Sequence, residues 1–343
     1  MEPTERKMKV LEAVVESYIR TGEPVGSKSV CDILDFNVSS ATVRNDMSEL
    51  TALGLLEQTH TSSGRVPTDL GYRIYADQLM KPVPLTKQER TAISDTLYLS
   101  SDAPEHLLEC AASLLSRITG CAAVASSPSG EKAVIRKIRF VQTGGCTAMT
   151  VLVTSTGSVK TKLFRCDFNI TPALIEMFES VAEERFVGLP VTGITPALMQ
   201  SAAASMGEMT MLMSNVLLSI QESAAAAAST SVAIKGQSNL FLMPELASTD
   251  GKKVMELLGH SGELAKLLGS AGTKTDILIG SEMSNPALSS LSVVVSHYQA
   301  SPDCSGSLAI IGPVRMNYAR VKAAAEFTAQ TVGELLAQLL ESV

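Results

Sequence analysis

Within its first eighty residues the chain changes hydrophobic period several times and marks each change with glycine or proline, which leaves few folds open. Met8, Leu11, Val15 and Tyr18 recur at three- and four-residue steps, the stripe of one helical face, and Gly22 and Pro24 end it. Val30, Ile33 and Leu34 predict a second, short helix opening at Ser27. Ser39 or Ser40 then offers an N-cap hydroxyl to a third helix, which turns Val43, Met47, Leu50 and Leu53 inward and stops at Gly54. Leu55 to His60 reads as a strand, Thr61 to Gly64 as a tight turn, and Arg65 to Val66 as a return strand closed by Pro67.

Three helices followed by a two-stranded ribbon predict a winged helix. The third helix leaves Thr42, Arg44, Asn45, Ser48 and Glu49 on or beside its exposed face, crowded toward the N-terminal end that a recognition helix offers to the major groove. An arginine fork there matches guanine and an asparagine amide matches adenine. Arg65 suits a minor groove or a phosphate, and Ser62 and Ser63 can donate to phosphates. The candidate contact set is therefore Ser39, Ser40, Thr42, Arg44, Asn45 and Ser48 from the helix, with His60, Ser62, Ser63 and Arg65 from the ribbon. Charge gives no general help. The chain carries a net −7, and from Ser39 to Arg73 three arginines face Asp46, Glu49, Glu57 and Asp69, so phosphate contacts have to lean on hydroxyls, amides and main-chain N–H groups.

Beyond Val66, Thr68 to Met80 predicts a connecting helix with Tyr72, Tyr75 and Leu79 on one side, broken by the extended spacer Lys81-Pro-Val-Pro84. Thr86 and Glu89 form a capping box for the next helix. The head is thus placed at 1–80 and a linker with its helix at 81–100. Proline stiffness is expected to set the angle between head and body. Pro104 to Thr119 predicts a helix stopped by Gly120, and after it the pattern turns to alternation: Ile138 and Phe140, then Met149, Val151 and Val153, then Val159, Thr161 and Leu163, the last two runs joined by the turn Ser155-Thr-Gly-Ser158. Further strands are expected at Ile277 to Ile279, Val293 to Val295 and Leu308 to Ile311. Strands on both sides of a long helical stretch suggest an insertion.

That stretch places Met199, Met206, Met213 and Ile220 seven residues apart, with Ala202, Met209 and Val216 at the complementary heptad positions and none of the flanking charges of an exposed coiled coil. So broad an apolar face has to be covered. A bundle core within one chain and a dimer interface are both open.

Other chemistry finds no support. The six cysteines are scattered without a close pair and the four histidines stand apart, so no metal site or disulfide framework is signalled. No phosphate-cradle, dinucleotide, zinc-protease or nucleophile-elbow string occurs, and neither His260 nor His297 has a paired nucleophile and acid. No catalytic residue and no cofactor is expected. The N-terminus lacks the apolar run of a secretory signal, and Met211 to Ile234 is interrupted by Asn215, Gln221, Glu222 and serines, so a soluble cytoplasmic protein without membrane contact is expected.

Three motifs then carry a resemblance: Thr21-Gly-Glu-Pro-Val-Gly-Ser-Lys28, Ser39-Ser-Ala-Thr-Val-Arg-Asn-Asp-Met-Ser-Glu-Leu50, and His60-Thr-Ser-Ser-Gly-Arg-Val-Pro-Thr68 with Gly71-Tyr-Arg73. In these the chain resembles the HrcA family of bacterial heat-inducible transcription repressors. Further matches at Gly236 to Leu240, Pro244 to Leu246, Ile279 to Glu282 and Ile311 to Val321 extend it to nearly the whole chain. The resemblance implies an α+β multidomain protein: an N-terminal winged helix, a GAF-like α/β domain with an antiparallel sheet (101–194 and 273–343), and an inserted, mainly helical dimerisation domain (195–272). It further implies a homodimer on double-stranded DNA, a palindromic operator before chaperone operons, and release on heating through availability of the chaperonin GroEL. It tips the heptad toward dimerisation by Met199, Met206, Met209, Met213, Val216 and Ile220. Met283, Val314, Asn317 and Thr59 depart from the family pattern. A rival reading is a metabolite-responsive winged-helix regulator with its ligand in the GAF-like domain.

Overall fold

The computed structural model describes residues 4–58, 64–243, 251–259, 262, 264, 268, 275–283 and 288–341. Helix α1 (Glu5–Thr21) ends where Gly22 turns to φ +70° and its N–H returns to the Tyr18 carbonyl. α2 (Ser27–Ile33) and α3 (Ser40–Ala52) follow, and Val10, Leu11, Val14 and Val15 of α1 meet Val30, Val43, Met47 and Leu50 in one buried cluster. β1 (Leu56–Glu57) pairs antiparallel with β2 (Val66–Pro67), so the stem of the wing is present. Pro67 is accommodated because a two-stranded ribbon leaves its N–H side free. The wing-tip residues His60, Ser62 and Ser63 lie outside the described residues.

The connecting helix is α4 (Asp69–Ile74), capped by Thr68 and continued by a π-helical turn, Tyr75–Leu79. After the exposed prolines, the Thr86/Glu89 box opens α5 (Lys87–Tyr98), with both of its reciprocal hydrogen bonds formed. α6 (Pro104–Thr119) ends at Gly120 and leads into β3 (Ala122–Ser126).

The chain then leaves the sheet to build a separate unit. β4 (Ile135–Gln142), β5 (Thr147–Thr154) and β6 (Val159–Arg165) form an antiparallel three-stranded sheet in that order. Helices α7 (Pro172–Phe186), α8 (Pro196–Ser205) and α9 (Thr210–Ala228) join it in a core of their own, which includes Phe140, Leu152, Phe164 and Phe178. The chain returns through a neck in which Ser127 N–H donates to the Ser231 carbonyl at 2.8 Å and Ser231 N–H donates to Ser127 Oγ at 2.9 Å.

β7 (Val232–Lys235), α10 (Gln237–Phe241), α11 (Gly251–Gly259), β8 (Asp276–Ile279), β9 (Leu291–Ser301), β10 (Cys304–Pro313) and α12 (Tyr318–Glu341) complete the body. Its five-stranded sheet runs β7-β3-β10-β9-β8 with every neighbouring pair antiparallel. One face, with Ala123, Ala125, Val294, Leu308 and Ile310, packs on α6 and α12, and that core continues unbroken into the three helices of the head. The other face, with Val124, Val293, Val295 and Ile311, packs on Leu240, Val254 and Leu258 of α10 and α11.

Two expectations are corrected here. The insertion does not run over 195–272. It lies between β3 and β7, so the strands of 135–165 belong to it, while β7, α10 and α11 belong to the body sheet. Alternation along a strand identifies a strand but not the sheet that claims it. The heptad is also not one helix. Gly207 at φ +57° opens a 3₁₀ turn, Gly207–Met209, between α8 and α9. Met199, Met213, Val216 and Ile220, expected at a dimer interface, are buried in their own chain, the last three at 0% exposure. They pack with the inner face of β4–β6, where the Thr150 and Ser219 hydroxyls share a buried hydrogen bond of 2.6 Å. Met206 and Met209 are half-buried beside the Gly207 turn. A seven-residue spacing marks a face that must be covered, not what covers it, and here the cover is the unit's own sheet.

Candidate nucleic-acid interface

Helix α3 begins with a true cap. Ser39 Oγ accepts from Thr42 N–H at 3.1 Å and shares a 2.8 Å hydrogen bond with Thr42 Oγ1. Ser40, half-buried, instead shares a 2.8 Å hydrogen bond with Ser27 Oγ and so ties α3 to α2. The helical period that buries Val43, Asp46, Met47 and Leu50 turns Arg44, Asn45 and Ser48 outward. Ser48 Oγ donates to the Arg44 carbonyl at 2.9 Å. Among the described residues no hydrogen bond or ion pair engages the exposed Arg44 and Asn45 side chains, so a guanidinium fork and an amide stand together near the positive end of the α3 dipole. Thr42, half-buried, lines the same tip.

The structure also brings in residues that the sequence reading missed. Arg6 of α1 donates from Nε and Nη2 to the two carboxylate oxygens of Asp46 at 2.9 and 2.8 Å, and Asp46 is almost wholly covered. The Asp46 hydrogen bond holds the Arg6 guanidinium above its ordinary pKa. Lys7 forms an ion pair with Glu49. Both acids that weigh against DNA at α3 are therefore matched by cations from α1. The basic run Arg6, Lys7, Lys9 was the available signal, but the α3 partners of Arg6 and Lys7 lie some forty residues on.

Arg65 is not carried at the tip of the wing. Its N–H and carbonyl pair with Val25 at 2.9 Å each, adding a third segment to the ribbon's stem. Its Nε donates to Thr51 Oγ1 at 3.2 Å and Nη1 to the Gly64 carbonyl at 3.3 Å. The guanidinium thus lies against the C-terminal half of α3 and braces wing to helix. No cluster of metal-ligating side chains is found among the described residues, and no helix there is long and apolar enough to cross a membrane.

A buttressed helix-turn-helix with an exposed polar tip and an adjoining ribbon defines a DNA-binding protein of the winged-helix class. Residues 2–80 match the family model "Winged helix-turn-helix transcription repressor, HrcA DNA-binding", and residues 105–321 match "HrcA protein C terminal domain". The chain belongs to the HrcA family, a family of transcription repressors and not of enzymes. Its relatives include the heat-inducible transcription repressor HrcA of Frankia casuarinae, 35% identical over 97% of this chain and 98% of that one, and that of Shouchella clausii, 32% identical over 93% and 94%. A crystal structure described as a hypothetical protein at 2.2 Å resolution shares the fold, with a TM-score of 0.66 at 23% identity over 98% of this chain and 99% of that one. The family match favours a heat-inducible repressor over a metabolite-responsive regulator.

Proposed function

We propose that this repressor acts as a cytoplasmic homodimer on an inverted-repeat operator of chaperone genes, and that heat releases it through the chaperonin GroEL. The observation that carries the DNA reading is the exposed, unengaged pair Arg44 and Asn45 on a helix whose two acids are matched by Arg6 and Lys7. A symmetric pair of heads reads two half-sites and adds their binding through effective concentration. A repressor of marginal stability that needs GroEL to stay folded loses its DNA-competent population when heat diverts the chaperonin to other clients.

For the dimer, the support is a second face of β4–β6. Val141, Met149, Val151, Val153, Val159 and Leu163 share one face with Lys137 and Arg139 on the β4 edge and Thr161 on β6, and Val141, Val159 and Leu163 are exposed at 46, 48 and 60%. Among the described residues, the helices of the unit pack on the opposite side of these strands. Six aliphatic side chains left on one sheet face suit a second copy of the chain.

The test is Arg44→Ala in the full chain, read by DNA protection on genomic fragments. Loss of one bidentate base contact is expected to weaken operator binding by about 1–3 kcal/mol without a change in thermal unfolding. An unchanged footprint would remove α3 as the reading helix.

A further inference from the structure

Three stretches singled out in the sequence take no part in the DNA-reading face: Gly71-Tyr-Arg73, Ile279-Gly-Ser-Glu282 and Ile311 to Val321. They converge at the junction of head and body. Arg73, in the last turn of α4, donates from Nε to Glu282 Oε1 at 2.6 Å and from Nη2 to the Ile277 carbonyl at 2.5 Å, while its ion pair with Glu282 completes a fork at the edge strand β8. One turn earlier, Asp69 accepts from Ser281 N–H at 2.9 Å. Gly280 stands at φ +50°, and a Cβ there would run into the Asp69 carboxylate, so glycine is what lets the two segments close. Beneath these ties the buried Tyr72 ring meets the Tyr318 ring edge-on, with centroids 6.0 Å apart. The Tyr318 hydroxyl shares a 2.8 Å hydrogen bond with Ser292 of β9.

The exposed Lys81-Pro-Val-Pro84 tether is sufficient to keep head and body in one molecule. The junction does something the tether cannot, because two polar ties and a packed ring pair together remove the head's freedom to rotate. We infer that Arg73, Asp69 and Glu282 are positioning residues for DNA recognition: they fix the direction in which each α3 faces, and with it the half-site spacing that a dimer accepts. This rests on the dimeric operator reading above. A head swinging on its prolines would accept several spacings and would have to be ordered afresh in each complex, whereas a held head accepts one and meets the duplex already ordered. Each added base pair shifts the second half-site by about 3.4 Å and rotates it by about 34°.

The experiment uses the full-length chain and the inverted repeat recovered by DNA protection, with its centre shortened or lengthened by one or two base pairs, beside a single half-site. The wild type is expected to prefer one spacing by roughly tenfold or more. In Glu282→Ala, and in Arg73→Lys, which keeps the charge but loses the planar fork, the preference is expected to fall to about threefold or less. Single half-site affinity and thermal unfolding should stay near wild type. Both variants keeping the sharp profile would overturn the inference, as would a wild type indifferent to spacing. Loss of half-site affinity in both, with folding intact, would also overturn it by making these residues part of the reading surface. A wild type that protects no inverted repeat at all would instead strike the dimeric operator reading, and the inference with it.

Discussion

The head and the inserted unit are both small assemblies of helices and antiparallel strands, yet they are joined to the body in opposite ways. The head's core runs without interruption into the five-stranded sheet and α12, so a displacement of Tyr72 is felt by Tyr318. The inserted unit keeps a separate core, is joined to the body at the neck at Ser127 and Ser231, touches it again where the Gly157 turn lies beside Leu340 and Pro104, and keeps its helices on one side of its sheet, leaving Val141, Val159 and Leu163 exposed on the other. A shared core transmits orientation. A separate core with an open face is free to serve another copy of the chain.

The sharpest way to break this contrast is to damage the inserted core alone. Phe178 of α7 is fully buried and meets Phe140 edge-on at 6.0 Å. Phe178→Ala is expected to destabilise that unit by about 3–5 kcal/mol. Because its core is separate, calorimetry should show the loss in one early transition while single half-site binding survives. A single transition shifted as a whole, with the head lost together with the insertion, would mean that the two cores fold as one.

Next in size is the open face. Leu163→Glu, on the edge strand β6, places a charge at the most exposed side chain of the proposed contact without touching the inner face, which is held by Phe164. Monomers by analytical ultracentrifugation are expected, with affinity for the inverted repeat reduced roughly a hundredfold and single half-site affinity retained. A stable dimer would move the interface elsewhere, and the exposed Met211 and Leu218 of α9 would be the next residues to change.

These two regions also differ in how far their residues reveal them. In the head and linker, the decisive signals act within one helical turn. The Ser39 cap, the Thr86/Glu89 box and the glycine stops at 22 and 54 are set by neighbours in the chain, and each stands where its spacing predicts. The partners that matter most lie far away. Arg6 finds Asp46, and Arg73 finds Glu282, through tertiary contact that no local period encodes. In β5 the alternation is plain, but the buried side is Ala148, Thr150 and Leu152 and not the more uniformly apolar Met149, Val151 and Val153. Ala148 leaves room at the sheet and Thr150 bonds Ser219 of α9, while Val151 and Val153 are left outward, where a second molecule can use them. The exposed face of α3 was legible because its helical period separates the buried Val43, Met47 and Leu50 from the outward Arg44, Asn45 and Ser48. Arg65 was not, because its bond to Thr51 depends on how the ribbon folds back.

The smallest expected effect concerns pH and sharpens the contrast at the joints. The amide of Thr86, with Arg320 behind it, holds the Glu89 carboxyl down to about 2. At Glu282 burial pushes the carboxyl up, but the Arg73 hydrogen bonds and the Ile279 N–H outweigh it, and the net direction is down. A carboxylate whose pKa is lower folded than unfolded stabilises above its ordinary value of 4.5, and that stabilisation is lost as pH falls toward the folded value. Both groups join segments of the continuous core: Glu282 ties head to body, and Glu89 ties the linker helix to α12. Glu89→Gln and Glu282→Gln should therefore each lower the melting temperature by about a degree or two at pH 7, and each gap to wild type should close as pH drops below 4.5. Glu222→Gln, which breaks an exposed pair with Lys162 inside the inserted unit, is expected to change little at any pH. A gap at Glu282 that persisted undiminished at pH 2–3 would mean that its contribution comes from packing and not from its charge, and the head would then be held chiefly by the two tyrosine rings.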